Sequence, residues 1–551
     1  MIYTKIREYL KISTMEDYEL MTLEEDKNFT KEKTIGRLKS KGKDGNWMIT
    51  CTEFLFSQPV VMLFNMLNFK FMFTRGHPAY NRMKLYGIFM YAYTQNVYTL
   101  TGVAYLCRND EVLRCFTNGI EPSANCLDDF LNKSNRVIMK AITICTLVEL
   151  NDLEYLDFKR IYCDSTDAKI NGSVNYKVKL YDLKCFELLN DWNLLHNGTA
   201  EKMRKNKRKL EKLLMEYKND KEMTERIKHI LKNYYLYRKT AYRKYDVFKK
   251  YLDEDPEGYV CVMFPEARFI KTKRGRFEFA LLVQQCMFRK GIVLPGLLQS
   301  KPNDSESLPE IITDLKETFF IFEQLQKFYG KRTNYLEIRN TLEKAIMILD
   351  SGYFTDANLE AAYDENLNIL IMPRLIATRI NDKLRGKEFQ DVDYLIEEEV
   401  KKVTKKHADI TSKGYVCPYC IHSEPCVKKE INSEFNRSRE GLPEEFKEIS
   451  FNYEFLCPPE CPVKNICTIN PIEDRISVLK HDMILKFTNK RYRTIYLERF
   501  GANEQIFGDF KGLIEIIKLF GSDKTAAQNH LYIMDTCRNL KRKVTLKDTC
   551  N

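Results

Sequence analysis

Helical and strand-like patterns divide the chain near residue 150. Over residues 45–150 apolar side chains recur at three- and four-residue spacing, most clearly in 83–93 and 141–150, which predicts helices joined by short polar turns. The most apolar window, 54–73, contains five polar residues and a proline. Because a membrane span needs about 20 predominantly apolar residues, we interpret this window as a buried core helix. Residues 1–44 are polar and are expected to be loosely ordered.

After residue 150, short apolar runs typical of strands alternate with amphipathic segments. Strands are predicted at 158–163, 260–264, 277–288, 292–298, 345–349 and 368–372, and helices at 309–328 and 356–366. Two of these strands are followed directly by an aspartate, Asp164 and Asp350. Strands that alternate with helices predict an α/β sheet, and such sheets bind ligands at the carboxyl ends of their strands. The pattern therefore places a candidate site at these two aspartates.

Positive charge is concentrated in one segment. Residues 201–250 contain 18 lysines and arginines against 7 aspartates and glutamates, a net charge of +11 that equals the net charge of the whole 551-residue chain. The segment lacks glycine and proline and is predicted to form helices inserted within the sheet. Its cations, among them Lys205 and Arg208, suit DNA phosphates, and its interleaved tyrosines suit stacking. A solvated pair of charged helices is the alternative interpretation.

The cysteines form a scattered set and a cluster. Eleven of the 17 stand singly in apolar stretches and are expected to be core residues. The cluster comprises Cys417, Cys420, Cys426, Cys457, Cys461 and Cys467. Its two halves, C-x2-C-x5-C and C-x3-C-x5-C, predict a structural Zn²⁺ site, with His422 also available; an iron–sulfur cluster, unliganded thiols and a redox role are the alternatives. Low cysteine density and the lack of a signal peptide lead us to expect a cytoplasmic protein.

Carboxylates are the remaining candidate chemistry. The sequence has no glycine-rich phosphate loop, no G-x-S-x-G and no H-E-x-x-H, and its seven histidines are scattered. Asp164 lies in YCDSTDAKI, Asp350 in ILDSGYF and Glu504 in GANEQIFGDFKGLIEIIKLF. Carboxylate oxygens suit Mg²⁺ or Mn²⁺, and two such ions about 3.5–4 Å apart can promote phosphodiester cleavage. Each residue alone also fits a turn or a helix surface, so it is their combination that favours a site.

Several of these segments resemble DDE transposases of bacterial and archaeal insertion sequences, in the class with an InsH-like N-terminal domain and a Tyr-Arg-Glu-Lys signature. Residues 75–130 are similar to the N-terminal domain, and YCDSTDAKINGS and LDSGYFTDANLEAA are similar to the two aspartate motifs. Further matches are Gln284 or Gln285, Asn303-Asp304, Gly352, Tyr353 and Asn358. The signature is matched by Tyr496, Arg499, Glu504 and Lys511.

One spacing departs from the family pattern. Four residues separate Arg499 from Glu504, whereas the family has three. Glu504 and Lys511 are seven residues apart and share a face on a helix, but Arg499 would point away from Glu504 unless Gly501 allows a turn. Glu498 is the competing candidate for the third carboxylate.

The resemblance implies an α/β RNase H-like catalytic core with an all-α N-terminal DNA-binding domain, a basic helical insertion and a cysteine-rich insertion. We expect the N-terminal extension to cover residues 1–44 and the InsH-like DNA-binding domain to cover 45–150. The first part of the core is expected at 155–187, the basic insertion at 188–256, the rest of the core at 257–400, the cysteine-rich insertion at 401–474 and the C-terminal catalytic helix region at 475–551.

An activity is also implied by the resemblance: binding of double-stranded terminal inverted repeats, then DNA cleavage and strand transfer to target DNA. Asp164, Asp350 and Glu504 would be catalytic and hold two Mg²⁺ (or Mn²⁺) ions, with Tyr496, Arg499 and Lys511 on nearby phosphates. A homodimer in the DNA complex, a nucleoid-associated location and no membrane are expected. The alternatives are a domesticated or inactive transposase that only binds DNA and a zinc-containing nucleic-acid-binding protein.

Overall fold

A computed structural model gives the architecture of the chain. It describes residues 28–69, 80–170, 177–192, 194, 200–233, 245–254, 256–261, 264–271, 277–301, 304–374, 376–378, 393–398, 428–430, 453–455, 479–480, 483–484, 486–487, 489–499, 517–518 and 523–550. Within these residues, helices pack on a mixed β-sheet of seven strands. Glu504, Lys511 and the six clustered cysteines lie outside the described residues.

Helices form the described chain before residue 160, in agreement with the helical pattern. They are α1 (Lys31–Leu38), α2 (Gly42–Leu55), α3 (Gln58–Phe69), α4 (Arg82–Thr94), α5 (Leu100–Asn109), α6 (Glu111–Thr117), α7 (Ala124–Lys133) and α8 (Arg136–Asp152). Polar side chains cap the amino ends of α4 to α8 by accepting hydrogen bonds from first-turn N–H groups, which a helix cannot pair internally. Residues 1–27 lie outside the described residues, but for Lys31–Leu38 the expectation of a loose N-terminal segment is wrong, because α1 buries Leu38 in the core.

The apolar window 54–73 spans a break between two helices. Several apolar side chains in its described part are buried as predicted, among them Phe54, Leu63 and Phe64. The single helix that we predicted is wrong, since α2 ends at Leu55 and α3 begins at Gln58. Among the described residues, no single helix has the length and apolar character to cross a membrane; α2 and α3 meet that test only as a pair, and they are bent by 78°.

Eleven strands follow in the described chain. They are β1 (Arg160–Lys169), β2 (Lys177–Val178), β3 (Val260–Cys261), β4 (Arg268–Lys271), β5 (Phe277–Phe288), β6 (Leu297–Gln299), β7 (Ile346–Leu349), β8 (Asn368–Ile371), β9 (Lys428–Glu430), β10 (Tyr453–Phe455) and β11 (Ile517–Lys518). The main sheet has the order β4-β5-β1-β7-β8, with β6 also on β5 and β11 also on β1. Strand β5 runs antiparallel to β1, β4 and β6, whereas β7 and β11 run parallel to β1. Strand β1 therefore joins an antiparallel half to a parallel half.

The strand predicted at 292–298 is mostly absent from the sheet. Val293 makes an isolated bridge to Met287, and β6 begins only at Leu297. The reason is a side chain: Asn539 accepts a hydrogen bond from the N–H of Val293 and donates one to its carbonyl, both at 2.9 Å. The backbone polar groups of Val293 are thereby paired by a helix side chain, where a strand would pair them with a neighbouring strand.

The insertion between β1 and β4 has a hydrophobic core of its own. It contains α9 (Leu180–Asp191), α10 (Ala200–Glu216), α11 (Lys221–Lys232) and α12 (Tyr245–Glu254). Its buried residues include Phe186, Leu210 and Phe248. The predicted boundary at residue 188 is too late, because α9 packs within this core. Strands β2 and β3, which flank the helices, pair with each other and close the insertion at its base.

Further described helices pack with the sheet and the N-terminal helices. They include α13 (Leu308–Tyr329), α14 (Tyr335–Arg339), α15 (Thr341–Lys344), α16 (Asp356–Asp364), α17 (490–499) and α18 (Lys524–Cys550). One continuous hydrophobic core extends from Phe29 to Leu540 and includes side chains of both the N-terminal helices and the sheet. The boundary expected at residue 150 therefore does not separate two cores. Of the ten scattered cysteines with a described environment, eight are buried and none is disulfide-bonded.

A buried ionic network links helices α8 and α13 within this core. The fully buried ammonium of Lys140 donates to Asp314 Oδ1 and Glu317 Oε2, both at 2.8 Å, and to the carbonyl of Asp314 at 3.0 Å. Burial alone would lower the pKa of Lys140, but the charges around it, led by Asp314, raise it. Lys140 is thus charged in the folded protein, and a buried charge of this kind requires its partner.

Replacement of Lys140 by methionine should lower the free energy of unfolding by about 3–5 kcal/mol, because it leaves a buried carboxylate without its main partner. Urea denaturation of the full chain measures the change. The control is Lys133→Met, which removes an exposed ion pair to Asp129 and should cost at most about 1 kcal/mol. Equal, small losses for the two variants would contradict an energetic role for the buried pair.

Candidate active site

Parallel pairing of β1 with β7 brings the two predicted aspartates together. The residues just before them, Cys163 and Leu349, pair in the register of these strands, so Asp164 and Asp350 occupy matching positions on strands about 4.8 Å apart. Oδ1 of each aspartate accepts a hydrogen bond from the backbone N–H of the following serine, at 2.8 and 2.7 Å. Their side chains are 20% and 42% exposed, respectively. Both carboxylates are therefore held in place and open to solvent.

Arg499 of α17 contacts both carboxylates. Its Nη2 donates to Asp350 Oδ1 at 3.0 Å, and its Nη1 lies 4.0 Å from Asp164 Oδ2. The ring of Tyr496, one helical turn earlier, lies 5.3 Å from the guanidinium carbon. Burial, with a smaller effect of Asp350 and Asp164, raises the pKa of Tyr496, so its hydroxyl is neutral. The arrangement is two carboxylates that share one buried cation.

A second set of polar side chains, Asp304, Gln284 and Tyr353, lies next to Ser165, the residue that follows Asp164. Asp304 accepts hydrogen bonds from the hydroxyl of Ser165 at 2.8 Å and the amide of Gln284 at 3.0 Å. The hydroxyl of Tyr353 donates to the carbonyl oxygen of the same Gln284 side chain. Burial raises the pKa of Asp304, although the hydrogen bonds from Gln284 and Ser165 oppose the shift. These contacts fix the residues that follow Asp164 and Asp350.

Gly352 and Asn358 lie next to the same set of side chains. A Cβ atom at Gly352 would lie 3.2 Å from Asp304 Oδ2, so a larger residue would crowd the carboxylate. The amide of Asn358 donates to the carbonyls of Asp304 and Tyr353, at 2.9 and 3.1 Å, and its oxygen accepts from the N–H of Leu308. Gly352 and Asn358 were predicted only as family matches, and their contacts with Asp304 were not predicted. The available signal was a pair of adjacent glutamines inside the apolar strand FEFALLVQQCMF.

Glu498, the competing third carboxylate, is engaged elsewhere. It pairs with Arg160, accepts a hydrogen bond from the hydroxyl of Tyr162 at 2.9 Å, and lies 3.6 Å from Arg289. Arg160 and Tyr162 precede Asp164 by four and two residues, so they share its face of β1 but lie toward the amino end of the strand. Glu498 is therefore placed as the partner of these side chains.

Other predicted site residues lie away from the aspartates or outside the described residues. Lys205 and Arg208 are exposed on α10, in the insertion with its separate core. Glu504 and Lys511 fall in the part of the chain that the structure does not describe, as do Cys417, Cys420, Cys426, Cys457, Cys461 and Cys467. The zinc site and the third carboxylate therefore stay predictions.

Asp164 and Asp350 fit a divalent cation by the chemistry of their donors. Carboxylate oxygens are preferred ligands of Mg²⁺ and Mn²⁺, and Arg499 shows that the space between the two side chains favours positive charge. Two carboxylates do not complete a site: among the described residues, no cluster of three or more His, Cys, Asp or Glu side chains is placed to hold a metal ion. A third protein ligand would have to come from another segment.

Substitution of Arg499 by methionine should strengthen the binding of Mn²⁺ by about tenfold, because the guanidinium competes with the ion for both carboxylates. The rise in melting temperature on addition of MnCl₂, compared with NaCl at equal ionic strength, measures binding. Arg499→Met combined with Asp350→Asn is the control and should lose the gain. An equal rise in melting temperature with MnCl₂ in the wild type and in Arg499→Met would contradict competition between Arg499 and the metal ion for the two carboxylates.

Comparison with known proteins adds no relative. No family model matches the chain, and neither a curated protein nor a solved structure matches it. Function must therefore be argued from the resemblance of the motifs and from the geometry of the described residues.

Proposed function

We propose that the protein is a DDE-type DNA transposase that binds terminal inverted repeats and catalyses metal-dependent strand cleavage and strand transfer. The observation that carries the proposal is the parallel pairing of β1 with β7. It places Asp164 beside Asp350, two residues that are distant in the sequence and that the resemblance gives as the first and second catalytic aspartates. Asp164 lies within β1, which extends past the predicted end at residue 163, and Asp350 directly follows β7; both side chains reach solvent, where a substrate phosphate can approach.

The sheet topology supports an RNase H-like core. An antiparallel half and a parallel half share β1, and the two aspartates lie on the pair of strands where these halves meet. Helix α13 connects the antiparallel half to β7, so the first aspartate precedes this connection and the second follows it.

Asp164, Asp350 and, by the resemblance, Glu504 would hold Mg²⁺ or Mn²⁺. Such ions lower the pKa of bound water and neutralise charge at the phosphate and the leaving oxygen. The described residues provide orientation: backbone N–H groups fix both carboxylates, and Asp304 and Gln284 fix the strand ends behind them. Arg499 adds a permanent cation at the same place, where it would attract a phosphate.

DNA affinity is assigned to surfaces outside the site. Helix α10 exposes Lys205 and Arg208 while it buries Leu210 in the core of the insertion, so its cations face solvent and suit sequence-independent contacts with phosphates. The N-terminal helices would recognise the inverted repeats, and a homodimer would hold two element ends. A location at the nucleoid follows from such a substrate.

Nicking of DNA that carries the sequences flanking the reading frame tests the proposal. With MgCl₂ the wild type should cut this DNA, and EDTA should stop the reaction. Asp164→Asn, Asp350→Asn and Glu504→Gln should each lower the cutting rate more than about a hundredfold. That exceeds the usual loss of activity when a residue that only hydrogen-bonds a metal ligand is replaced. All three should retain DNA binding.

Glu498→Gln is the matched control, since Glu498 is the alternative third carboxylate and pairs with Arg160. It should cut at close to the wild-type rate. Loss of cutting in Glu498→Gln but not in Glu504→Gln would exchange their roles. Metal-independent cutting, or binding without any cutting, would overturn the proposed enzyme.

Structural zinc is proposed for the cysteine-rich insertion on the basis of its cysteine spacing. Metal analysis of the full chain, purified without chelators, should find at least about one zinc per chain. Simultaneous replacement of Cys417 and Cys420 by serine should reduce the zinc content, whereas Cys107→Ser, at a buried cysteine of α5, should not. A wild-type protein without zinc would contradict this assignment.

A further inference from the structure

A groove lies between the N-terminal helices and the outer face of α18. Its volume is about 540 Å³, which is within the range of ligand pockets. Helix α2 contributes Asn46, Trp47 and Thr50, helix α4 contributes Tyr93, and the turn after β5 contributes Gly291. Helix α18 contributes Arg538, Lys541, Arg542, Val544 and Thr545. The groove is distinct from the site at Asp164 and Asp350 and is not used by the proposed cleavage.

Three cations line this groove on one helix face. Arg538, Lys541 and Arg542 are spaced by three and four residues, so they are neighbours on α18 and repel one another. The side chain of Asp535 contacts Arg538 at 3.4 Å from the buried side. Among the described residues that line the groove, none is acidic. The solvent side of the groove is therefore a place of net positive charge.

The aromatic residues of the groove also favour a ligand. The ammonium of Lys541 lies 5.0 Å from the centre of the Tyr93 ring and 5.8 Å from that of the Trp47 ring. The indole Nε1 of Trp47 is buried and has no hydrogen-bond acceptor among the described residues. A buried indole N–H normally has a partner, because leaving it unpaired is costly. Trp47 thus places its ring beside the ammonium of Lys541, while its indole N–H stays buried.

We propose that this groove binds the phosphate backbone of a nucleic-acid strand. Lys541 and Arg542 line the groove with cationic N–H donors, which is the chemistry that a phosphodiester accepts, although Arg542 Nε already donates to the carbonyl of Lys290. The volume is much larger than a lone phosphate needs, and ring faces beside the cations suit the attached sugar and base. A single strand is preferred, because such a groove admits one backbone and the bases attached to it.

The groove also has a structural connection to the sheet. Arg538 Nη1 donates to Gln285 Oε1 at 3.2 Å, and Gln285 is the β5 residue that pairs with Asp164. Arg538 therefore links the groove, through a buried contact, to the strand that pairs with β1. Binding in the groove does not require cleavage, and cleavage does not require this groove.

Tryptophan fluorescence gives a direct test, because the chain has only two tryptophans. In the full-length variant Trp192→Phe, emission reports on Trp47 alone. Addition of a short oligothymidylate should change this emission in a saturable way. The combined variant Lys541→Gln with Arg542→Gln should bind at least about tenfold more weakly, and the slope of log affinity against log salt should fall by about 1.4 for two lost phosphate contacts.

Lys327→Gln with Lys331→Gln is the matched control, since it removes two exposed positive charges outside the groove; its affinity should stay within about twofold of wild type. Inorganic phosphate and thymidine 5′-monophosphate are the other probes. Binding of either as tightly as the oligonucleotide would overturn the strand proposal in favour of a small-anion site. An unchanged Trp47 signal while fluorescence anisotropy shows the oligonucleotide bound would also overturn it.

Two further measurements use Trp192→Phe alone and Asp164→Asn in the Trp192→Phe background. If the Lys541 and Arg542 variant melts early, the Trp47 response of Trp192→Phe and its loss with salt still decide the question. Asp164→Asn in the Trp192→Phe background should keep the response. DNA nicking without a Trp47 response would refute only the groove, and a Trp47 response without nicking would refute only the proposed cleavage.

Discussion

Strand β1 is paired on both sides, and this constraint fixes the position of the candidate site. Nine consecutive residues of β1 pair with β5, and the first four pair with β7. Side chains alternate between the two faces of a strand, so a slip of one residue against either neighbour would turn Asp164 away from Asp350. The long antiparallel pairing therefore holds the register that the short parallel pairing uses. Precision at the two aspartates comes from the backbone of three strands.

Opposite charges are combined in two different ways in the molecule. At the site, the buried guanidinium of Arg499 faces two carboxylates that remain partly exposed, so water shares in the solvation of Asp164 and Asp350. In the core, Lys140 and Asp314 are both shielded from water, and loss of either partner is costly. The two ion pairs thus differ in the burial of their carboxylates, and burial sets the cost of leaving a carboxylate without its partner.

Side chains of helix α18 pair with backbone groups that a neighbouring strand would otherwise pair. Its side chains Gln528, Asp535 and Asn539 bind backbone groups between Val293 and Leu298. Elements that follow a local pattern were predictable from the sequence, whereas those that depend on such long-range contacts were not. Strand β5 was predicted with its observed bounds, and α13 to within one residue at each end, because both follow local periodicity. The lost strand at 292–298 and the pairing of Glu498 depend on side chains hundreds of residues away, which no local pattern reports.

Long-range pairing also limited the prediction of the site. The two aspartates were predictable because each directly follows a short apolar run in the sequence, a local signal, although β1 continues past Asp164 to Lys169. Arg499 was named only through the resemblance, and its contact with both aspartates depends on how α17 packs on the sheet. The supporting role of Asp304 could not be predicted, because it lies in a loop without periodicity. Its role depends on the hydrogen bonds that it accepts from Ser165 and Gln284, which are distant in the sequence or on another strand.

The pairing of β2 with β3 at the base of the insertion bears on how the insertion was acquired in evolution. Lys177 pairs with Cys261 and Val178 with Val260, so the chain leaves and re-enters the core at neighbouring points. Backbones paired in this way lie only about 5 Å apart, a gap that a tight turn can span. The segment between them, with the four helices described in it, could thus be gained or deleted in a single genetic event without any change in sheet register. The segment that carries a net charge of +11 is, in architectural terms, a detachable module.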